Sequence, residues 1–229
     1  MRGKIYGIGV GPGDPQLLTL AACRQLCESD VIAVPGERPE EAVSYRIICA
    51  ALPELSEKEC VAVPMPMIRD RRKLEESHRA GVRKLEALAD AGKTVAFAVL
   101  GDVMLYSSFS FLQPGLKADG YDVVLISGVS SVSAAAARLG VPLAQGDEML
   151  HIIPGGSCTA EELSFRGTCV IMKAAGNLPQ IGKRLRESGR RILAVENCGM
   201  EREKIYRSAD EIPADVGYYS LMIAKEGEI

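Results

Sequence analysis

The sequence predicts an α/β protein, on three observations. Short apolar runs of strand length alternate with segments of 3.6-residue periodicity along the first half of the chain. Three of those runs pass directly into glycine-bearing turns, as tight strand-to-helix connections require. The 229 residues, 47% hydrophobic and 25% charged, suffice for one large α/β domain or two of about 110 residues. Alternation of this kind implies a mostly parallel sheet with helices on both faces.

In chain order, Lys4–Gly11 reads as the first strand. Asp14-Pro15 then signals a helix start, because aspartate caps and proline suits the first helical position; Leu17, Leu18, Ala21 and Leu26 give that helix an apolar side. Val31–Val34 and Cys60–Val63 are further strands, and Pro35–Glu41 is an exposed loop. The clearest helix is Asp70–Ala91, where Leu74, His78, Val82, Leu85 and Leu88 share one face and Gly92 supplies the stop. Thr94–Leu100 and Tyr121–Ile126 complete the first set of strands, with turn chemistry at Pro114-Gly115 and Asp119-Gly120 between them. That turn chemistry places a domain boundary within Gln113–Gly120, giving domains 1–115 and 116–229. Beyond it the chain is richer in strand and mixed in direction: Met149–Ile153, Thr168–Met172, Arg191–Glu196, Lys204–Arg207 and Val216–Ala224, with helices at Ala134–Leu139 and Leu178–Ser188.

Composition excludes several function classes. A net charge of −3 gives no global reason to bind nucleic acid. The seven cysteines are odd in number and scattered, without a C-x-x-C pair, so neither a disulfide framework nor a zinc knuckle is expected; most read as small buried hydrophobes in a reducing compartment. The two histidines, His78 and His151, lie outside metal-ligand spacing, and no metal is expected. No apolar run approaches the roughly 20 residues of a membrane span, and Met1-Arg2-Gly3-Lys4 leads into a strand, not a signal-peptide core. The expected location is the cytoplasm.

Three loops carry the chemistry. Gly7-Ile8-Gly9-Val10-Gly11-Pro12-Gly13-Asp14 leaves a strand and enters a helix. A dinucleotide-binding fingerprint fits it poorly, since Pro12 breaks the register and Asp14 occupies the helix start where a pyrophosphate would sit. Leu100-Gly101-Asp102-Val103-Met104-Leu105-Tyr106-Ser107 follows a buried strand, where ligands of open α/β sheets bind. Ser127-Gly128-Val129-Ser130-Ser131-Val132-Ser133 runs into Ala134–Ala137, and its hydroxyls suit helix capping or ligand contact. Neither of the first two loops has the lysine of a phosphate-binding loop, which favours a ligand without phosphates.

Taken together, in this order and spacing, the three loops resemble the tetrapyrrole (corrin/porphyrin) methylases. Gly101–Phe109, Gly128–Ala137 and Pro142-Leu143-Ala144-Gln145-Gly146-Asp147-Glu148 resemble the branch that methylates C-20 of precorrin-2 or cobalt-precorrin-2 in cobalamin biosynthesis, and the likeness extends to Val195-Glu196-Asn197 and the closing strand. Another family member, acting on a different corrin carbon or a non-corrin substrate, is the alternative. The resemblance implies two α/β domains with S-adenosylmethionine in a cleft between them, the class III methyltransferase type, and a homodimer. It implies that Leu100, Gly101, Asp102, Leu105 and Tyr106 line one side of the cofactor, that Ser130, Ser131, Met172 and Cys198 line the other, and that Pro12 lies near the transferred methyl. Asp102 is the candidate catalytic group. Val103 and Ser127 stand where the family commonly has proline, and the Pro35 region lacks the aspartate of the uroporphyrinogen methylases. For a substrate bearing several carboxylates, Arg38, Arg69, Arg71 and Arg72 are the candidate anchors, because guanidinium pairs bidentately with carboxylate.

Overall fold

A computed structural model describes residues 2–68 and 70–227. The chain divides into two compact units, Met1–Ser130 and Ser131–Ile229.

The first unit holds a five-stranded sheet of β1 (Ile5–Gly9), β2 (Val31–Pro35), β3 (Cys60–Val63), β4 (Val95–Val99) and β5 (Val123–Ile126), in the order β3-β2-β4-β1-β5 and parallel throughout. Both faces are covered, and strand alternation shows it. From β4, Val95, Phe97 and Val99 pack with Val82, Leu85 and Ala89 of α3 (Arg71–Asp90) and Phe109, Leu112 and Leu116 of α4 (Phe109–Ala118). Ala96 and Ala98 of the same strand point the other way, into a cluster with Ala22 and Leu26 of α1 (Leu20–Glu28) and Ile47 and Ile48 of α2 (Val43–Ala51).

The second unit holds α5 (Ser131–Leu139), β6 (Leu150–Pro154), β7 (Thr168–Met172), α6 (Leu178–Glu187), β8 (Arg191–Glu196), β9 (Lys204–Tyr206) and β10 (Ser220–Lys225). Its sheet order is β6-β7-β10-β8-β9; β6 and β7 are parallel and β10 runs antiparallel to both β7 and β8. Leu178, Ile181 and Leu185 of α6 pack on Cys169, Ile171, Ala194 and Met222, while α5 packs on β8 and β10.

Four expectations change. Asp14 does cap, accepting from Gln16 N–H at 2.9 Å, but only a 3₁₀ turn at Pro15–Leu17; Leu18 is extended, and Thr19 caps the true helix by accepting from Ala22 N–H at 3.2 Å. Pro114-Gly115 is not a turn but the middle of α4. The helix survives its proline because it buries Phe109, Leu112 and Leu116, and Gly115 is a packing residue: a Cβ there would lie 3.0 Å from Val82 Cγ2. Residues 116–130, expected in the second domain, thus supply the end of α4 and β5 to the first unit. Of the seven cysteines, expected to be mostly buried, only Cys169 is buried; Cys27 is exposed and the other five are half-buried.

Candidate functional site

In the first unit, β4, β1 and β5 are parallel neighbours, so the three glycine loops leave the same sheet edge side by side. Their backbones touch. Gly101 N–H donates to Gly11 O at 2.7 Å and Gly11 N–H to Gly101 O at 3.2 Å. Gly9, Gly101 and Gly128 meet so closely that a Cβ on Gly128 would lie 2.3 Å from Gly101 O and 2.6 Å from Gly9 C, and one on Gly9 2.6 Å from Gly101 O. Gly101 also holds φ +75°, a region that L side chains avoid. Glycine here lets three loops interlock.

Asp102 fastens the junction. Its Oδ1 accepts from Met104 N–H at 2.8 Å, and Oδ2 accepts from Gly128 N–H at 3.1 Å, so one carboxylate spans the loops after β4 and β5. Pro12 is buried, Leu100 and Leu105 are half-buried, and Tyr106 is 41% exposed at φ +51°. Val103, at a position where the resemblance leads one to expect proline, is fully buried in the core. Ser131 is the first residue of α5 and Ser130 precedes it, both half-buried.

In the second unit, β7 ends on Met172, which is buried, and β8 runs out through Glu196 and Asn197 to the half-buried Cys198. Both residues therefore stand at strand ends on either side of β10. The residue after Met172, Lys173, has φ +55°, and Asn197 has φ +53°. Glu203 shapes the turn that carries Cys198: Oε2 accepts from Gly199 N–H at 2.8 Å and Oε1 from Arg138 Nε at 2.5 Å. Glu196 ties neighbouring segments together, accepting from Tyr206 OH at 2.8 Å and Gly217 N–H at 2.8 Å; burial and this carboxylate push the Tyr206 phenol up to about 12.

The arginines are placed differently. Arg38 follows β2 and pairs with Glu41 and, at 3.6 Å, Glu40. Arg71 and Arg72 open α3 after the Asp70 cap and are about nine-tenths exposed, pairing i,i+4 with Glu75 at 3.2 Å and Glu76 at 3.4 Å. Arg69 lies outside the described residues. Among the described residues no group of three His, Cys, Asp or Glu side chains is arranged to hold a metal, and no helix is long and apolar enough to cross a membrane. Sequence reading passed over Tyr218 and Tyr219, absorbed into a strand that in fact begins at Ser220. An adjacent aromatic pair in a chain only 5% aromatic was the available signal.

The donor set of the first unit can be tested against a cationic, phosphate-free ligand. The loops after β1, β4 and β5, residues 10–19, 100–108 and 127–130, contain no lysine or arginine but carry Asp14 and Asp102. Such a lining does not suit a phosphate and does suit a sulfonium and its attached amine. Residues 4–212 match the family of Tetrapyrrole (Corrin/Porphyrin) Methylases. The chain belongs to that family.

Relatives of this tetrapyrrole methylase include the probable cobalt-precorrin-2 C(20)-methyltransferase of Methanocaldococcus jannaschii, 34% identical over 97% of this chain and 96% of that one. The precorrin-2 C(20)-methyltransferase of a Sinorhizobium species is 31% identical over 96% and 94%. Among solved structures, the uroporphyrin-III C-methyl transferase of Thermus thermophilus complexed with S-adenyl homocysteine superposes with a TM-score of 0.71, at 26% identity over 98% of each chain.

Proposed function

We propose that this tetrapyrrole methylase transfers a methyl group from S-adenosylmethionine to C-20 of precorrin-2 or cobalt-precorrin-2 in cobalamin biosynthesis. The observation that carries the reading is end-to-end likeness: relatives bearing those two names align over at least 94% of both chains. When bound, S-adenosylmethionine supplies an electrophilic methyl on a positively charged sulfur. The chain's part is to position two molecules, which by itself removes much of the barrier to a bimolecular transfer. Gly101, Leu100, Leu105 and Tyr106 of the first unit, with Ser130 at its end, and Ser131, Met172 and Cys198 of the second are the residues we assign to the cofactor, with Pro12 near the methyl. Asp102 is assigned a positioning part in methyl transfer, because both its oxygens already accept backbone N–H groups that lock the loops. We further place the enzyme in the cytoplasm as a homodimer, which light scattering on the purified protein would check.

The deciding assay incubates the enzyme with methyl-labelled cofactor and each tetrapyrrole in turn, metal-free and cobalt-loaded. One labelled methyl at the meso carbon of one substrate, located by NMR, is the expected product. Label on another carbon, or on neither substrate, would overturn the reading.

Two substitutions probe the assigned groups. Ser131→Ala should weaken S-adenosylhomocysteine binding by about 1 kcal/mol through one lost hydrogen bond, with melting temperature unchanged; lower stability at unaltered affinity would make Ser131 a helix-start residue only. Arg71 and Arg72 can exchange their glutamates for substrate carboxylates cheaply, since exposed i,i+4 pairs are worth only about 0.3–0.5 kcal/mol. Arg71→Glu and Arg72→Glu should each raise the KM for the tetrapyrrole several-fold, less so at high salt, without altering cofactor affinity. Wild-type KM in both would remove them, leaving Arg38 and Arg69 to be tested in the same way.

A further inference from the structure

Two cysteines that the cofactor assignment leaves out share one side of α1. Cys23 and Cys27 are four residues apart, so one lies a turn above the other with Cβ atoms about 5–6 Å apart. Cys23 is half-buried against the cluster that contains Ala22, Leu26, Ile47 and Ile48, and Cys27 is exposed. The helix thus presents two thiols at a fixed spacing, the outer of them open to water.

That spacing decides what can join them. A disulfide needs Cβ atoms about 3.5–4.5 Å apart with the two bonds turned toward each other, whereas Cβ vectors on one helix face run parallel. Direct oxidation would have to unwind the last turns of α1. A metal bridge is longer: two metal–sulfur bonds of about 2.3 Å laid end to end span about 4.6 Å between sulfurs, which side chains one turn apart can reach by choice of rotamer. Among the described residues no third His, Cys, Asp or Glu joins the pair to make a metal-holding group. Zinc, which takes four ligands in a structural site, is therefore poorly served, while a soft ion that accepts two thiolates in line is fully served.

The local charge suits such an ion. Two thiolates on a monovalent cation leave one net negative charge, which the carbonyl end of a helix repels. Lys58 covers that end: its ammonium donates to Leu26 O at 3.0 Å, Cys27 O at 2.7 Å and Ser29 O at 2.5 Å. A positive charge is thereby fixed beside Cys27. Burial, and then the neighbouring Cys27, push the Cys23 thiol above its ordinary value, so the unloaded side chain is a protonated and sluggish nucleophile. A soft cation binds it by displacing the proton to solvent.

We infer that Cys23 and Cys27 form a two-thiolate site for a soft monovalent cation of the copper(I) class. The site shares no residue with those assigned to S-adenosylmethionine or to the tetrapyrrole, and it stands whether or not those assignments hold. Loading it joins the two turns of α1 that carry the thiols, so bound metal should stabilise the fold.

Copper(I) held by a bicinchoninate chelator is the probe. Reduced wild-type protein should withdraw one equivalent, and X-ray absorption of the product should show two sulfur neighbours and no nitrogen. Cys23→Ser and Cys27→Ser should each weaken uptake by more than about 100-fold, because losing a partner outside the ligand set already costs metal sites about 10–100-fold. Cys27 is exposed, so its serine variant keeps the test open should Cys23→Ser unfold. Cys49→Ser, Cys60→Ser and Cys198→Ser should take up copper as wild type does. Bound copper should raise the melting temperature of wild type and leave that of Cys27→Ser where it was. No uptake by wild type, uptake that survives Cys27→Ser, or uptake lost in Cys198→Ser or on saturation with S-adenosylhomocysteine would each overturn the site.

Discussion

Gly101→Val is expected to abolish measurable S-adenosylhomocysteine binding in a protein that still folds. Valine is β-branched and Gly101 sits at φ +75°, so the substitution forces either a left-handed valine, at about 1–3 kcal/mol, or a rearranged loop. Rearrangement cannot stay local. Gly101 exchanges two backbone hydrogen bonds with Gly11, and its carbonyl is the atom against which Gly9 and Gly128 pack. Shifting it displaces the loops after β1, β4 and β5 together and pulls at the Asp102 carboxylate that joins two of them. Gly128→Ala should act in the same way from the far side, since its Cβ would arrive 2.3 Å from Gly101 O, a contact no rotamer relieves. The control is Gly120→Ala: its φ is +79°, yet nothing lies within 4 Å of the added carbon. It should lose about 1 kcal/mol of stability from the backbone strain and no cofactor affinity. Calorimetry of the three variants beside their melting temperatures decides the matter; a folded Gly101→Val protein with wild-type affinity would move the cofactor away from these loops.

That junction was half legible in the sequence. Glycines at strand ends said that the backbone came close to something, and periodicity fixed which strands they followed. The pattern did not say that the close approach is to one another, because Gly9, Gly101 and Gly128 meet only through the order β4-β1-β5, a tertiary fact. Strands were easier than helices for a related reason: a buried parallel strand is a short apolar run whose ends are set by the run itself. Helix starts rely on capping residues that serve other turns equally well, and Asp14-Pro15 began a 3₁₀ turn while Thr19 five residues later began α1. Pro114-Gly115 misled in the opposite direction. Local chemistry there favours a turn, but the i, i+3, i+7 face of Phe109, Leu112 and Leu116 packs on α3 strongly enough to carry the helix through. Sequence also assigned arginines to a substrate by charge alone, and the structure places Arg71 and Arg72 in glutamate pairs that charge counting could not resolve.

The second large effect is expected at Lys225, which anchors the segment Pro142–Glu148 that carries part of the C-20 resemblance. Lys225 is only 6% exposed, and its ammonium donates to Pro142 O at 2.9 Å and Glu148 Oε2 at 3.0 Å. Glu148 in turn accepts from Thr168 Oγ1 at 2.7 Å and from Gln145 N–H at 3.2 Å. One lysine and one glutamate thus hold the connection between α5 and β6 against the sheet, the lysine coming from β10 and the threonine from β7. Removing one member of a buried pair strands the other, which costs far more than the pair contributes. Lys225→Met should therefore destabilise the protein by about 3 kcal/mol, the lower end of the range for buried pairs because Glu148 keeps some contact with water. Glu148→Gln, whose amide oxygen can still accept from Lys225 while its NH2 donates to the Thr168 hydroxyl, should lose about half as much. The acid limb distinguishes the charge from the packing. The Thr168 hydroxyl, and then Lys225, hold the Glu148 carboxyl below its ordinary value of 4.5 against the opposing effect of burial. A depressed carboxylate contributes stability that is fully present above its unfolded pKa and is lost as pH falls through the folded one. Urea unfolding should accordingly show wild type more stable than Glu148→Gln at pH 7, with the gap closing as pH drops below about 4.5. A gap that stays constant down to pH 3 would mean that Glu148 acts through shape and not through its charge.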